Sequence, residues 1–432
     1  MHDASNIPVG WKRFTLRNLI KSAVSGPSPT CEERNIYGDR EWGLLKTTAI
    51  TWEGWDASAH KVLPAEYWGN RQLAVSADDI VITKAGPRHR VGVVTHVNYA
   101  IPRVIVSGKM VLLRPDTNLV EPRILAGLLS QRAPQKFLDE RTTGMAESQV
   151  NFSNSTLRKT PLLVPPLGEQ RRMAEILDAL DAQISTISLL VGKLQTRRRG
   201  LTEHLITSTF GEKTPLAMHL AQAPKNGYSP KEVDEWTGLQ ALGLGCLTPD
   251  GFHPRQLKNV PAKDGRNAAA LLNDGDLLMS RANTRDLVGL VGIYRDIGCP
   301  CIYPDLMMRL VPAHDCRSEY LELLLLSNDV RRQIQAIAQG TSESMVKISG
   351  SSVGHLRVTV PSLAEQDRVL VMVDAIQQEA DIHKYERNKL KLLKQGLMED
   401  LLTGRIRVSE AEAVLECLQP SPGRPRAAAG AE

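Results

Sequence analysis

GMAESQVNFS (Gly144–Ser153) returns 196 positions later as GTSESMVKIS (Gly340–Ser349), and that recurrence decides how the rest of the chain is read. The same offset carries VPPLGEQRR (Val164–Arg172) onto VPSLAEQDR (Val360–Arg368), and GLTEHLIT (Gly200–Thr207) onto GLMEDLLT (Gly396–Thr403). Of the 64 pairs from Gly144 to Thr207, 21 are identical, and no gap is needed. Upstream of each block the match breaks into patches whose offset wanders between 194 and 197. A chain that keeps its connecting segments alike while its globular parts diverge reads as two different readers on one symmetric frame.

Working outward, the segments before each block are short, β-rich and broken by turns. LAVSADDIVITKAGPRHRVGVV (Leu73–Val94) reads as strand, turn and strand, and LLNDGDLLMSRANTRDLVGLV (Leu271–Val291) is its partner, with Asp276-Leu277 on Asp79-Ile80. KMVLLRP (Lys109–Pro115) matches LMMRLVP (Leu306–Pro312), each followed by a helical stretch. Strands and helices without regular alternation predict an α+β globule in each half. A long helix follows each globule. In the first, Met173, Leu177, Leu180, Ile184, Ile187, Val191, Leu194, Leu201 and Leu205 step by fours and threes, a heptad seam broken only at Arg198. The second keeps Val369, Val373, Ile376, Ala380, Leu390, Leu397 and Leu401 but sets His383, Arg387 and Lys394 on the same stripe. Ser362 with Glu365 fits a capping box, and Pro165-Pro166 marks the other start. A rod of roughly 60 Å with an apolar stripe needs a partner, and the other copy supplies it. Because the chain crosses back to begin its second globule, the coiled-coil helices are expected to run antiparallel with the globules at opposite ends.

Composition narrows the function. A net charge of +5 is mild, so any polyanion site is a local patch. The six cysteines (Cys31, Cys246, Cys299, Cys301, Cys316, Cys417) make no C-x-x-C pair, and the C-P-C at Cys299 and Cys301 has no evident ligand partners, so reduced thiols are expected and no metal site. No apolar run has the length of a membrane span, and MHDASNIPVGWKRF lacks a signal-peptide core; the protein is expected to be soluble and cytoplasmic. Gly108-Lys109 and Gly192-Lys193 lack the glycine spacing of a phosphate loop, and LGLGC (Leu242–Cys246) is no dinucleotide fingerprint. No lysine has Asp or Glu two places before it, so the D/E-x-K half of a common nuclease site is missing. The chain reads as a non-enzyme with no catalytic residues.

The two V-P-x-L-x-E-Q segments (Val164–Gln170 and Val360–Gln366), each after a G-x-x-E-S-x-V turn, and the closing LKQGLMEDLLTGRIRV (Leu393–Val408) resemble the specificity (S) subunit of type I restriction-modification systems. The resemblance spans essentially the whole chain; Ser362 in place of Pro166 and the polar stripe of the second helix depart from it. It implies two target recognition domains, each reading half of a split double-stranded DNA sequence, and helices that bind two methyltransferase (M) subunits and set the gap. It also implies a motor-endonuclease (R) partner. S-adenosylmethionine, ATP and Mg would belong to those partners, with no cofactor bound by this chain. A coiled-coil scaffold whose globules bind protein is the alternative. The domains are then 1–164 and 211–360 for recognition, 165–210 and 361–407 for spacer helices, and 408–432 for a mostly disordered tail.

Two loops in each globule are candidates for DNA contact. KAGPRHR places Lys84, Arg88 and Arg90 on a turn, and the matching turn holds Arg281, Asn283 and Arg285. For loop cations, solvation is the commoner role. The RTTGMAESQ loop offers Arg141, Thr142 and Thr143, and its counterpart QGTSESMVK offers Thr341, Ser342 and Lys347; hydroxyls beside Gly and cations suit phosphate or base contacts. The competing role is an ordinary turn feeding a strand. Glu147 and Glu343 recur there, and since carboxylates repel phosphate they are expected to bond backbone or an arginine. Trp42 and Trp236 are expected as buried core indoles. The basic helix segments Lys193, Arg197, Arg198, Arg199, Lys389, Lys391 and Lys394 are read as a solvated or partner-facing surface.

Overall fold

The computed structural model describes residues 7–52, 54–340 and 345–418. The chain forms two compact units, Met1–Thr186 with Arg387–Glu432, and Ile187–Glu386.

In the first unit, IVIT (Ile80–Thr83) and MVLLRP (Met110–Pro115) are almost wholly apolar, which predicts strands covered on both faces. They pair antiparallel in a four-stranded sheet ordered Ile20–Val24, Met110–Pro115, Ile80–Thr83, Val94–His96. Alternation then sorts the side chains into two cores. Ile80, Ile82, Val111 and Leu113 face helices α1 (Pro122–Ser130), α2 (Arg132–Asp139) and α3 (Asn154–Arg158). Val81, Met110 and Leu112 share the other core with Leu45 and Val104 of a smaller sheet, in which Gly43–Leu45 lies between Val104–Ile105 and His60–Val62. The Ser153 hydroxyl caps α3 by accepting from the Thr156 N–H at 3.0 Å. The long helix α4 (Leu167–Thr207) starts in this unit and ends in the other.

The second unit repeats the plan. Its four-stranded sheet runs Lys225–Asn226, Met307–Leu310, Leu277–Ser280, Val291–Ile293, and helices α5 (Ser318–Leu326), α6 (Asn328–Ile337) and α7 (Gly350–Gly354) follow in the same order. Gln240 pairs with Asn259 and Cys301 where Gly43 pairs with Val62 and Val104, so the offset is 197 throughout the small sheets. It is 196 from α1 onward, where Pro122 maps to Ser318. That register corrects the pairing of the tryptophans. Trp42 precedes Gly43 and packs, half-buried, against Leu44, Leu63 and Ile105, but its equivalent is the buried Leu239. Trp236 stands three residues earlier and is 61% exposed, so it is no core indole.

The long helices, α4 and α8 (Leu363–Thr403), are antiparallel within each unit. In the second, Leu194 and Leu201 cluster with Ile376 and Ala380, while Ile206 joins the core that holds Val369 and Val373. In the first, Asp181 of α4 pairs with Lys394 of α8 at 2.6 Å, and Glu169 with Arg407 at 3.2 Å. Lys394 thus sits on an apolar stripe because its stem packs while its ammonium reaches Asp181. Met173, Leu177, Leu180, Leu397 and Leu401 here belong to the globule's own core, so this stretch is three-way packing more than an isolated two-helix seam. Ser362 accepts from the Glu365 N–H at 3.4 Å, one half of the capping box.

The V-P-x-L-x-E-Q glutamine explains why that segment recurs. Gln170 is fully buried. Its Oε1 accepts from the Glu121 N–H at 2.8 Å just before α1, and its Nε2 donates to the Pro165 carbonyl at 2.8 Å. Gln366, equally buried, accepts from the Arg317 N–H just before α5 at 2.8 Å and donates to Pro361 at 2.9 Å and Asp315 at 2.8 Å. One carboxamide therefore ties the start of each long helix to the start of its globule's first helix.

Beyond α8, the segment assigned to a mostly disordered tail, 408–432, begins with a helix. Val408–Leu418 forms helix α9, whose Val408 and Ala411 enter the first core, because these apolar side chains lie one helical turn apart. Arg172 reaches Glu412 at 2.9 Å, and Arg407 reaches the Val9 carbonyl at 3.5 Å. The expected disorder of Gln419–Glu432 falls outside the described residues. Among the described residues, no helix is long and apolar enough to cross a membrane.

Replacing Gln170 or Gln366 by Ala leaves buried N–H and carbonyl groups unpaired and should cost ~2–4 kcal/mol, read from urea midpoints. The exposed Gln149→Ala should change stability by less than about 0.5 kcal/mol. A second prediction concerns Glu322 of α5, which accepts from the Ile293 N–H at 3.1 Å and whose carboxyl burial pushes above the ordinary glutamate range. Its folded pKa lies above the unfolded one, so its contribution is greatest below the ordinary glutamate pKa and is lost as pH rises through the raised value. Glu322→Gln keeps the acceptor without ionising. It should be the more stable form at pH 8, and the difference should close by pH 4 in the same denaturation assay.

Candidate nucleic-acid interface

The two candidate loops of each globule, far apart in sequence, come together as one surface. Thr143–Ala146, Gln149–Asn151 and Ala85–Gly86 form a three-stranded sheet in that order, with Val150 opposite Gly86 and Asn151 opposite Ala85. In the second globule Val346 faces Asn283, Lys347 faces Ala282, and Gln339 bridges to Lys347. The G-x-x-E-S-x-V segment is the builder of this sheet. A Cβ on Gly144 would stand 2.3 Å from the Gln149 carbonyl oxygen, and one on Gly340 would stand 2.8 Å from that of Met345. Only glycine permits so close a return of the strand. The motif valines, Val150 and Val346, are buried beneath it, and Ser153 and Ser349 cap the next helix.

Most of the loop cations turn inward. Arg88 donates to Glu147 at 2.7 Å, to Asp139 at 2.6 Å and to the Thr142 hydroxyl at 3.2 Å. Glu147 is thus held by an arginine, as its recurrence in a candidate DNA-contact loop suggested. Glu147 and Asp139 in turn raise the Arg88 pKa, so it stays a cation. Arg90 donates to the carbonyls of Thr47 at 2.6 Å and Ile50 at 2.8 Å. Lys84 is half-buried and bonds Ser25 at 2.9 Å, and burial lowers its pKa. Arg141 stacks over Phe137 at 3.9 Å and bonds that residue's carbonyl at 3.0 Å. Thr142 bonds the Asp139 carbonyl at 2.8 Å, and Thr143 bonds Asn151 at 3.2 Å.

The second globule follows the pattern with other chemistry. Arg285 reaches the Gln335 carbonyl at 3.0 Å, the position equivalent to Asp139, and Arg281 reaches the Asp305 carbonyl at 3.4 Å. Asn283 accepts from the Thr284 N–H at 2.9 Å, and Lys347 is exposed on its strand. Thr341, Ser342 and Glu343 lie outside the described residues. Of the helix cations, Arg199 pairs with Asp250 at 2.7 Å and Lys394 with Asp181, while Lys193 and Arg197 are exposed. Among the described residues no group of His, Cys, Asp or Glu is gathered as a metal site, and burial pushes the Cys301 thiol up to about 12. The outward residues of the ribbon, Gln149, Asn151 and Met345, and the exposed His89 at the turn tip lie outside the candidates read from sequence. Strand alternation around the motif valine was the signal that could have found them.

A model of the type I restriction modification DNA specificity domain matches residues 8–190. The chain is 28% identical over 172 residues to the EcoEI specificity subunit of Escherichia coli, a match covering 40% of this chain and 29% of that subunit. Its match to the MjaVIII specificity subunit of Methanocaldococcus jannaschii is 24% identical over 427 residues, 93% of this chain and 94% of the relative. The EcoKI specificity subunit of E. coli K12 matches at 22% identity over 90% of this chain and 86% of its own length. In fold, the chain superposes with a TM-score of 0.53 and 17% identity on a chain from a structure of the type I R-M system, covering 92% of this chain and 98% of that one. It is therefore a relative of type I specificity subunits over nearly its whole length. These relatives are specificity subunits, in agreement with the reading of the chain as a non-enzyme.

Gly144→Ala adds a side chain at φ +142° against the Gln149 carbonyl. It should cost about 1–3 kcal/mol, confined to the ribbon. Amide exchange should accelerate across 143–151 and stay unchanged in Met110–Pro115.

Proposed function

We propose that this relative of type I specificity subunits is the DNA sequence-recognition subunit of a type I restriction-modification complex. Each globule reads one half of a bipartite, gapped target in double-stranded DNA, and the chain recruits adenine methyltransferase and motor-endonuclease subunits. The observation that carries the reading is the pair of equivalent two-loop surfaces, built on the same backbone register but presenting different side chains. Different readers on one plan predict a target whose halves differ. Two methyltransferase subunits are expected, one for each repeat of the helical frame. S-adenosylmethionine, ATP and Mg belong to those partners, and the complex works where the DNA is, in the cytoplasm.

The chain co-purified with its methyltransferase should bind one gapped duplex sequence, with affinity falling steeply as salt rises. Cells carrying both should show methylated adenines in a single two-part motif, absent when this chain is deleted. A scaffold that binds only protein would give neither the salt slope nor the motif. Changing Arg88 and Arg90 together should weaken binding through one half-site; unchanged affinity and methylation would remove that turn from the interface.

A further inference from the structure

The ribbon that joins the two loops has an inner and an outer row. In Gln149–Asn151 the middle residue, Val150, is 1% exposed and its neighbours face out. In the second globule Val346 is buried at 0%, and Met345 and Lys347 face out. The inner residue is valine in both, and both pair with the turn strand in the same register. The outer residues differ at both positions, Gln against Met and Asn against Lys. Constant inside and exchanged outside is the pattern expected of a fixed frame with interchangeable readers.

The free chemistry fits base edges. Among the described residues the Gln149 carboxamide makes no side-chain hydrogen bond, and Asn151 only accepts from Thr143, which leaves its Nδ2 to donate. Carboxamides pair with the donor and acceptor of adenine, lysine pairs with the acceptors of guanine, and an apolar side chain meets the thymine methyl. A two-stranded antiparallel ribbon has the cross-section that the major groove admits. Thr143–Ala146 and Gln149–Asn151 form such an antiparallel pair, backed on the inner edge by the two-residue strand Ala85–Gly86. The carboxylates beside it, Glu147 and Asp139, would repel phosphate if left bare; both are held by Arg88.

Building on the DNA-recognition reading above, we infer that Gln149 and Asn151 read bases for the first globule and Met345 and Lys347 for the second. Arg88 is a positioning residue that neutralises and locks the ribbon. The test uses the full chain with its methyltransferase partner and a library of gapped duplexes with both half-sites randomised. Q149M together with N151K exchanges only exposed side chains, so folding is checked by an unchanged urea midpoint. Preference at one half-site should change by roughly tenfold or more at a base pair, with the other half-site and the gap unaltered. Loss that is uniform across sequences, or no change in preference, overturns the assignment. A parent complex with no sequence preference overturns the DNA reading itself, and this inference with it. For Arg88, R88E should abolish selectivity at that same half-site, and adding E147R should restore it. If the double variant stays unselective and its salt slope is shallower by about one charge, Arg88 is a phosphate contact and the positioning role is wrong.

Discussion

A fully buried carboxamide, Gln170 in one repeat and Gln366 in the other, fixes the joint on which the rest of each unit depends. Buried amides must find partners, and each of these bonds only main-chain groups. The acceptor takes the N–H that precedes α1 or α5, and the donor takes the proline carbonyl that precedes α4 or α8. A main-chain group has no alternative rotamer, so the angle between globule and rod is set by geometry that sequence drift elsewhere cannot alter. This is why the globules could diverge while V-P-x-L-x-E-Q did not: the prolines, the glutamine and the helix start form one bonded unit.

The same division between joint and surface explains what could be read from the sequence. The repeat, the α+β class, the two long helices and their opposed directions follow from an offset and a periodicity, because apolar residues at fixed spacing have one packing solution. Even the wandering offset has a cause. It is 197 from Gly43 through Met110–Pro115 and 196 from α1 onward, one residue being absorbed in the link after Met110–Pro115. Where reading failed, a single element had been judged by type instead of by register. Trp236 is aromatic and early in its globule like Trp42, yet it lies three residues from the equivalent place, which Leu239 fills. The helix at Val408–Leu418 is hard to read from sequence because a short apolar run stands beside an Ala- and Pro-rich end.

The site was readable as loops and not as residues. Two recurring segments marked loops that the fold brings together on one sheet, since a glycine, a buried valine and a capping serine leave a pattern. Which way the cations within them point is not legible there, because charge says nothing of direction. Arg88 and Arg90 both donate to their own protein, Arg88 to two carboxylates and a hydroxyl and Arg90 through Nη2 to two carbonyls. A turn that must hold three chain segments together needs donors in its interior, and arginine supplies five in a fixed fork. Cationic residues at such a turn are therefore consumed by architecture first.

That consumption bears on the charge of the whole molecule. A net charge of +5 over 432 residues is small for a chain proposed to act on DNA, and many of its cations are paired. Phosphate neutralisation supplies most sequence-independent affinity, whereas base edges supply discrimination. On the proposed reading, a subunit with few free cations among the described residues of its ribbons would hold little non-specific affinity of its own. Strength and selectivity are then separable. On the proposed reading, partner subunits provide the grip, and a few uncharged or singly charged side chains on a rigid ribbon decide where the grip closes.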